Sequence, residues 1–182
     1  HNLLAHHDSR NPRFGLGAKV RKNGECDGDY VDFRNNVIYN WGMNSSYGGE
    51  RMNINIVNNY YKPGPATVTG SKRGRIFAID ATENRNGGYL WGKYYIDGNV
   101  VDGGADDKNS QKATANNWEY GAYNQFSNNY KKVVTQKTKD SIRLDKPHEF
   151  ASVTTHSAFN AYKQVLDYAG CSLHRDDVDA RI

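Results

Sequence analysis

The chain repeats its own pattern, and that repeat constrains its fold more than any other feature. Val31-Asp-Phe33-Arg-Asn35-Asn36-Val37-Ile38 matches Ile54-Asn-Ile56-Val-Asn58-Asn59-Tyr60-Tyr61 at an offset of 23, in its alternation and in its central Asn pair alike. A third copy, Tyr94-Tyr95-Ile96-Asp97-Gly98-Asn99-Val100-Val101, carries its Asn 40 positions after Asn59. His1-Asn2-Leu3-Leu4 gives a partial copy, 34 positions before Asn36. Each copy reads as a short alternating strand, a bend and a second short strand. Such a unit cannot bury its inner face alone and must stack on its neighbours. The pattern predicts a coil of a parallel β-helix, with Asn2, Asn36, Asn59 and Asn99 in register and their amides bonding from coil to coil. An antiparallel sandwich with Asn-rich hairpins is the competing architecture, and the fixed period with long insertions favours the solenoid. Residues 67–92 read as an outlying loop between copies.

Composition bears on whether such a chain folds. Leu, Ile, Val and Phe number 33 of 182 residues, a share low enough to raise disorder. The net charge is only +4, however, and 13 Tyr and 3 Trp add apolar area, so a disordered tail is excluded. From 157 to 169 apolar residues recur at helical spacing, with Thr155 or Ser157 as N-cap and Gly170 as the stop. The expected fold is therefore all-β. It is one domain over 1–182, with coils and loops in 1–135, an extended connection over 137–150, and a C-terminal helix and tail in 151–182 packed on the solenoid's side. No stretch approaches the roughly 20 apolar residues of a membrane span. Cys26 and Cys171 lie 145 positions apart and form neither a CxxC motif nor a disulfide framework.

Charge is unevenly spread. Residues 1–22 hold Arg10, Arg13, Lys19, Arg21 and Lys22 against Asp8 alone, and an acid-free stretch between Glu50 and Asp80 contains Arg51, Lys62, Lys72, Arg73 and Arg75. Solvated surface explains the second stretch as well as a ligand does; the first points to a polyanionic partner. Within it, His6, His7 and Asp8 are candidate metal ligands, but adjacent side chains on an extended segment point to opposite faces. Ser9 lacks the elbow and the placed acid of a nucleophile. Arg10 and Arg13, three apart around Pro12, form a guanidinium pair for a carboxylate-bearing ligand.

Ser9-Arg10-Asn11-Pro12-Arg13-Phe14-Gly15, Val31-Asp-Phe-Arg-Asn-Asn-Val-Ile-Tyr-Asn-Trp41, Asn44-Ser-Ser-Tyr-Gly-Gly-Glu50, Val57-Asn-Asn-Tyr-Tyr-Lys-Pro-Gly-Pro-Ala-Thr67 and the closing Ala161 to Gly170 and Asp179 to Ile182 resemble pectate lyases of polysaccharide lyase family 1. The resemblance implies a right-handed parallel β-helix, secretion, and Ca2+-dependent β-elimination of α-1,4-linked polygalacturonate to 4,5-unsaturated products. It implies that Arg10 is the catalytic base at C5 of the uronate and that Arg13 binds substrate carboxylate. Such a base would need burial and neighbouring positive charge to lower its pKa. The calcium ligands are expected upstream of His1, and Asp27, Asp29 and Asp32 are expected to be solvated loop positions. The expected partner is acidic polysaccharide, met by a monomer, with no nucleic acid and no membrane span. Two other readings compete. One is a β-helix fragment that binds acidic polysaccharide without cutting it. The other is a single-stranded nucleic-acid surface using Tyr60, Tyr61, Tyr94 and Tyr95.

Overall fold

The computed structural model describes residues 1–15 and 28–181. Lys19, Arg21, Lys22, Cys26, Asp27 and Ile182 lie outside the described residues. Three parallel sheets carry the fold. One orders β1 (Leu3–Ala5), β4 (Val37–Tyr39), β7 (Tyr60–Lys62) and β12 (Val100–Val101) side by side. The second orders β3 (Tyr30–Arg34), β6 (Asn53–Val57) and β11 (Lys93–Asp97), and the third β2 (Arg13–Phe14), β5 (Ser46–Gly48) and β8 (Phe77–Ile79). The chain visits the three sheets in the same order on each pass. The register places Val31 beside Ile54 and Ile54 beside Tyr94, the alignment that the repeat predicts.

The Asn pairs divide their work. Asn35, Asn58 and Gly98 occupy the same bend with φ of 56°, 51° and 65°, a left-handed conformation that Asn and Gly tolerate. The residue after each builds a ladder. Asn2 Nδ2 donates to Asn36 Oδ1 at 2.8 Å, Asn36 to Asn59 at 2.9 Å, and Asn59 to Asn99 at 2.9 Å. Each Oδ1 also accepts the main-chain N–H of the Asn below it, so the bends bury their polar groups satisfied. The inner face holds Ile38, Ile54, Ile56, Phe77, Tyr61 and Tyr94, all fully buried. Phe14, Phe77 and Tyr94 meet edge to face through the middle, with centroids 5.5 and 5.1 Å apart. The burial of Tyr60, Tyr61 and Tyr94 removes them as base-stacking platforms.

Four departures from expectation have local causes. Residues 67–92 are not simply an outlying loop, because β8 pairs with β5 and buries Phe77 and Ile79; only the hairpin of β9 (Thr82–Glu83) and β10 (Tyr89–Leu90) stands apart. The chain is not all-β with one helix. Helices α1 (Lys108–Ala115), α2 (Asn117–Gly121), α3 (Asn128–Lys131) and α4 (Gln136–Ile142) precede α5 (Ala158–Tyr168). Asn117 Oδ1 accepts from Asn99, so α2 continues the ladder, and α1 packs on β12. These helices cover one end of the sheets, where open strand edges would otherwise be exposed. The expected extended connection over 137–150 contains α4 in its first half. Asp32 is not a loop residue but a half-buried member of β3, held by Arg34 at 2.5 Å.

The C-terminal helix lies where the sequence puts it. Ser157 caps it by accepting from Asn160 N, and Gly170 turns the chain away at φ 72°. Tyr162 stacks on Tyr60 at 4.4 Å, and Ala158 and Val165 pack on Val37. The preceding segment straps the outer face of β3 and β6, where Asn55 exchanges bonds with the main chain of His148, and Asn35 with that of His156.

Candidate functional site

Two loops stacked one on the other carry the candidate arginines. Main-chain bonds from His6 N to Tyr39 O, Gly42 N to His7 O, Asn44 N to Asp8 O and Asn11 N to Ser45 O tie the first loop to the second. Gly42 permits this contact, because a Cβ there would lie 2.1 Å from Asp8 Oδ1. Asn11 is fully buried and donates to His7 O at 3.2 Å and Asn44 O at 3.0 Å, which anchors the turn around the cis Asn11–Pro12 bond. The three candidate metal ligands serve the loops instead. His6 meets Asn40 at 2.8 Å, His7 meets Asn11 at 3.1 Å, and Asp8 accepts from Met43 N at 3.2 Å. Ser9 Oγ accepts from Asn44 at 3.2 Å.

Arg10 and Arg13 leave this anchored turn on either side of it. Arg10 is exposed, with φ 67°, and lacks the burial expected of a base. Arg13 begins β2 in register with Tyr47 and Ala78, while Phe14, Gly48 and Ile79 form the next row. Gly48, at φ 102°, lets the strands approach, since a Cβ would lie 2.3 Å from Phe14 O. The Arg13 guanidinium donates to Glu50 Oε1 at 3.0 Å and lies 5.7 Å from the Tyr47 ring centroid. Glu50 is buried, and its Oε2 has no hydrogen-bond partner among the described residues.

Beside Arg13 the outer face of β5 and β8 and the segment 125–130 enclose a cleft of about 290 Å3, lined by Asn44, Tyr47, Arg75, Asp80, Gln125 and Tyr130 among others. Burial pushes the Asp80 carboxyl up to about 6, and the Glu50 carboxylate adds to the rise, while Arg13 and Arg75 oppose it. Burial also brings Arg75 down to about 10, with Asp80 acting against the fall, so Arg75 stays cationic at neutral pH. Guanidinium groups, amides and phenol rings together suit an acidic sugar. Sequence reasoning named Arg10 and Arg13 as the site and missed Glu50, Asp80 and Arg75. A signal existed, because Glu50 and Asp80 bound the acid-free stretch that contains Arg75.

The calcium implied by the resemblance finds no seat here. Among the described residues no group of three or more His, Cys, Asp or Glu can hold a metal ion. Glu50 is engaged by Arg13, and Asp80 faces two guanidinium groups; calcium takes six to eight oxygen ligands. The described residues do not fit the ion.

No protein-family model matches the chain. It is 32% identical over 157 residues to a protein of Aspergillus flavus named "Probable pectate lyase C", a match that covers 83% of this chain and 30% of that protein. Proteins of the same name from Aspergillus fumigatus and Neosartorya fischeri are 31% identical over 158 and 157 residues. The chain thus spans about 30% of the length of the curated relatives it matches.

Proposed function

We propose that this chain, a distant homologue of the fungal probable pectate lyases, carries the reaction centre of a secreted lyase that cleaves α-1,4-linked polygalacturonate by β-elimination. In this reading the three parallel sheets are the faces of a right-handed parallel β-helix, residues 1–182 form part of one such domain, and the protein works as a monomer. Arg10, in its neutral form, takes the proton from C5 of a uronate. The electron pair left behind forms the C4–C5 double bond, the C4–O4 bond breaks, and O4 takes a proton from solvent. The C5 proton is α to a carboxylate, onto which negative charge spreads as the proton leaves, and Arg13 holds that carboxylate in the bound substrate. Arginine is an awkward base. The role asks for alkaline solution and for bound polymer that covers the exposed guanidinium.

The observation that supports this reading most is the pinning of Arg10 and Arg13 by buried Asn11 beside a cleft of mixed charge. The grip of Glu50 on Arg13 favours a second reading, a surface that binds acidic polysaccharide without chemistry. Product analysis separates the two. The full-length protein should release oligogalacturonates with a 4,5-unsaturated end, detected by their ultraviolet absorbance. Binding without cleavage supports the second reading, and saturated products contradict both.

A further inference from the structure

The basic residues between Glu50 and Asp80 have different fates. Lys62 pairs with Asp102 at 3.2 Å and Arg73 with Asp107 at 2.5 Å. Arg75 is nine-tenths buried and is held by neutral amides, its Nε donating to Gln125 Oε1 at 3.0 Å and its Nη1 to Asn44 Oδ1. Among the described residues no carboxylate forms an ion pair with it. A buried charge without a paired counter-charge is costly, and is kept most readily where a ligand supplies the partner. Gln125 is itself fixed, since its Nε2 donates to Ser71 O at 2.9 Å and to Tyr120 O at 3.3 Å, so Arg75 is oriented before any ligand arrives. Asn44 joins this arginine to the reaction turn, because its Nδ2 reaches Ser9 Oγ and its main-chain oxygen accepts from Asn11. Ser127 Oγ, in the same cleft, is buried and has no hydrogen-bond partner among the described residues. Tyr47 lies in the wall of the cleft and against Arg13 at once.

We propose that the Arg75 cleft is a second uronate subsite: Arg75 binds the carboxylate of the sugar unit adjacent to the one held by Arg13, and Ser127 meets a ring hydroxyl. The inference rests on the pectate lyase reading above and deepens it. Beside Asp80, which forms no ion pair with Arg75, a galacturonate unit offers a carboxylate that can bond the guanidinium directly, and hydroxyls for a serine Oγ that has no hydrogen-bond partner among the described residues. Asp80 faces Glu50, Arg13 and Arg75, with the Tyr94 and Tyr130 hydroxyls also in its field. Its charge moderates the cleft and opposes a second carboxylate once it is ionised.

The test uses the full-length protein, with polygalacturonate as substrate and trigalacturonate as a binding probe. Arg75→Lys keeps the charge and loses the fork, so KM should rise about 5- to 10-fold; Arg75→Gln should raise it about 10- to 100-fold, with kcat within about threefold of the parent in both. Trigalacturonate affinity should fall in step. If circular dichroism shows Arg75→Gln unfolded, Asp80→Asn decides. Removing that charge should lower KM about threefold at alkaline pH, and should tighten trigalacturonate binding above about pH 7 while leaving it unchanged below about pH 5. A folded Arg75→Gln with parental KM, or an Asp80→Asn with unchanged KM at alkaline pH, overturns the subsite alone while cleavage by the parent persists. A parent that neither cleaves polygalacturonate nor binds trigalacturonate overturns the functional reading and the subsite with it.

Discussion

Asp80 shows how strongly this fold sets a single charge. Its carboxyl is pushed up to about 6 by burial and by Glu50, so ionising it disfavours the native state. A carboxyl raised in this way costs nothing while both states are protonated, below about pH 4. The penalty grows as pH rises from about 4 to 6 and is complete above that. Asp80→Asn should therefore stabilise the protein at pH 8 by about 1 kcal/mol, a figure already reduced for partial exposure, and change little at pH 3.5. Urea unfolding at the two pH values checks this, and an equal effect at both would contradict the assignment. Arg13 makes a different prediction. In its proposed role as a carboxylate clamp it would act on bound substrate, so Arg13→Lys should mostly raise KM, by about 10-fold, because lysine keeps the charge but not the bidentate geometry. A fall confined to kcat would move Arg13 from binding to chemistry. In the sequence Glu50 and Asp80 were legible only as the bounds of the acid-free stretch that contains Arg75. Their meaning comes from strands distant in sequence that bring them beside Arg13.

At the scale of elements, the Asn pairs were legible because one residue type does two visible jobs at a fixed period. The first of each pair takes the left-handed bend, and the second passes an amide bond to the next copy. Asn59→Ala would strand Asn36 N and Nδ2 below it and remove its own donors to Asn99 and Phe33 O. A loss of about 2–4 kcal/mol is expected from several buried groups left unpaired. Asn160→Ala, on the exposed face of α5, should cost under about 0.5 kcal/mol. Comparable losses at the two positions would refute the ladder's role. Helices α1, α2 and α4 escaped sequence reading because side-chain caps and tertiary contacts hold them where apolar periodicity is weak: Asp107, Asn116 and Thr135 each accept bonds from the first turn. Strand β8 escaped because it follows a Gly- and Ser-containing turn and has no Asn pair to mark it, although Ile76, Phe77 and Ile79 fill the core.

At the scale of the molecule, the sheets, the strap over 146–156 and α5 leave the outer face of β2, β5 and β8 for the cleft, and Arg13 meets its wall at Tyr47. The repeat made the sheets legible, and the motif from Ser9 to Gly15 made the two arginines legible. The cleft itself was not, because its walls come from β5, β8 and the segment 125–130, which no single motif links. The claim that the anchored turn performs the elimination is tested most directly by initial rates of full-length Arg10→Ala on polygalacturonate beside the parent, at alkaline pH. The account predicts a kcat lower by about 10²- to 10⁴-fold with KM nearly unchanged, the effect of removing a positioned proton acceptor. A folded Arg10→Ala with near-parental kcat would contradict it.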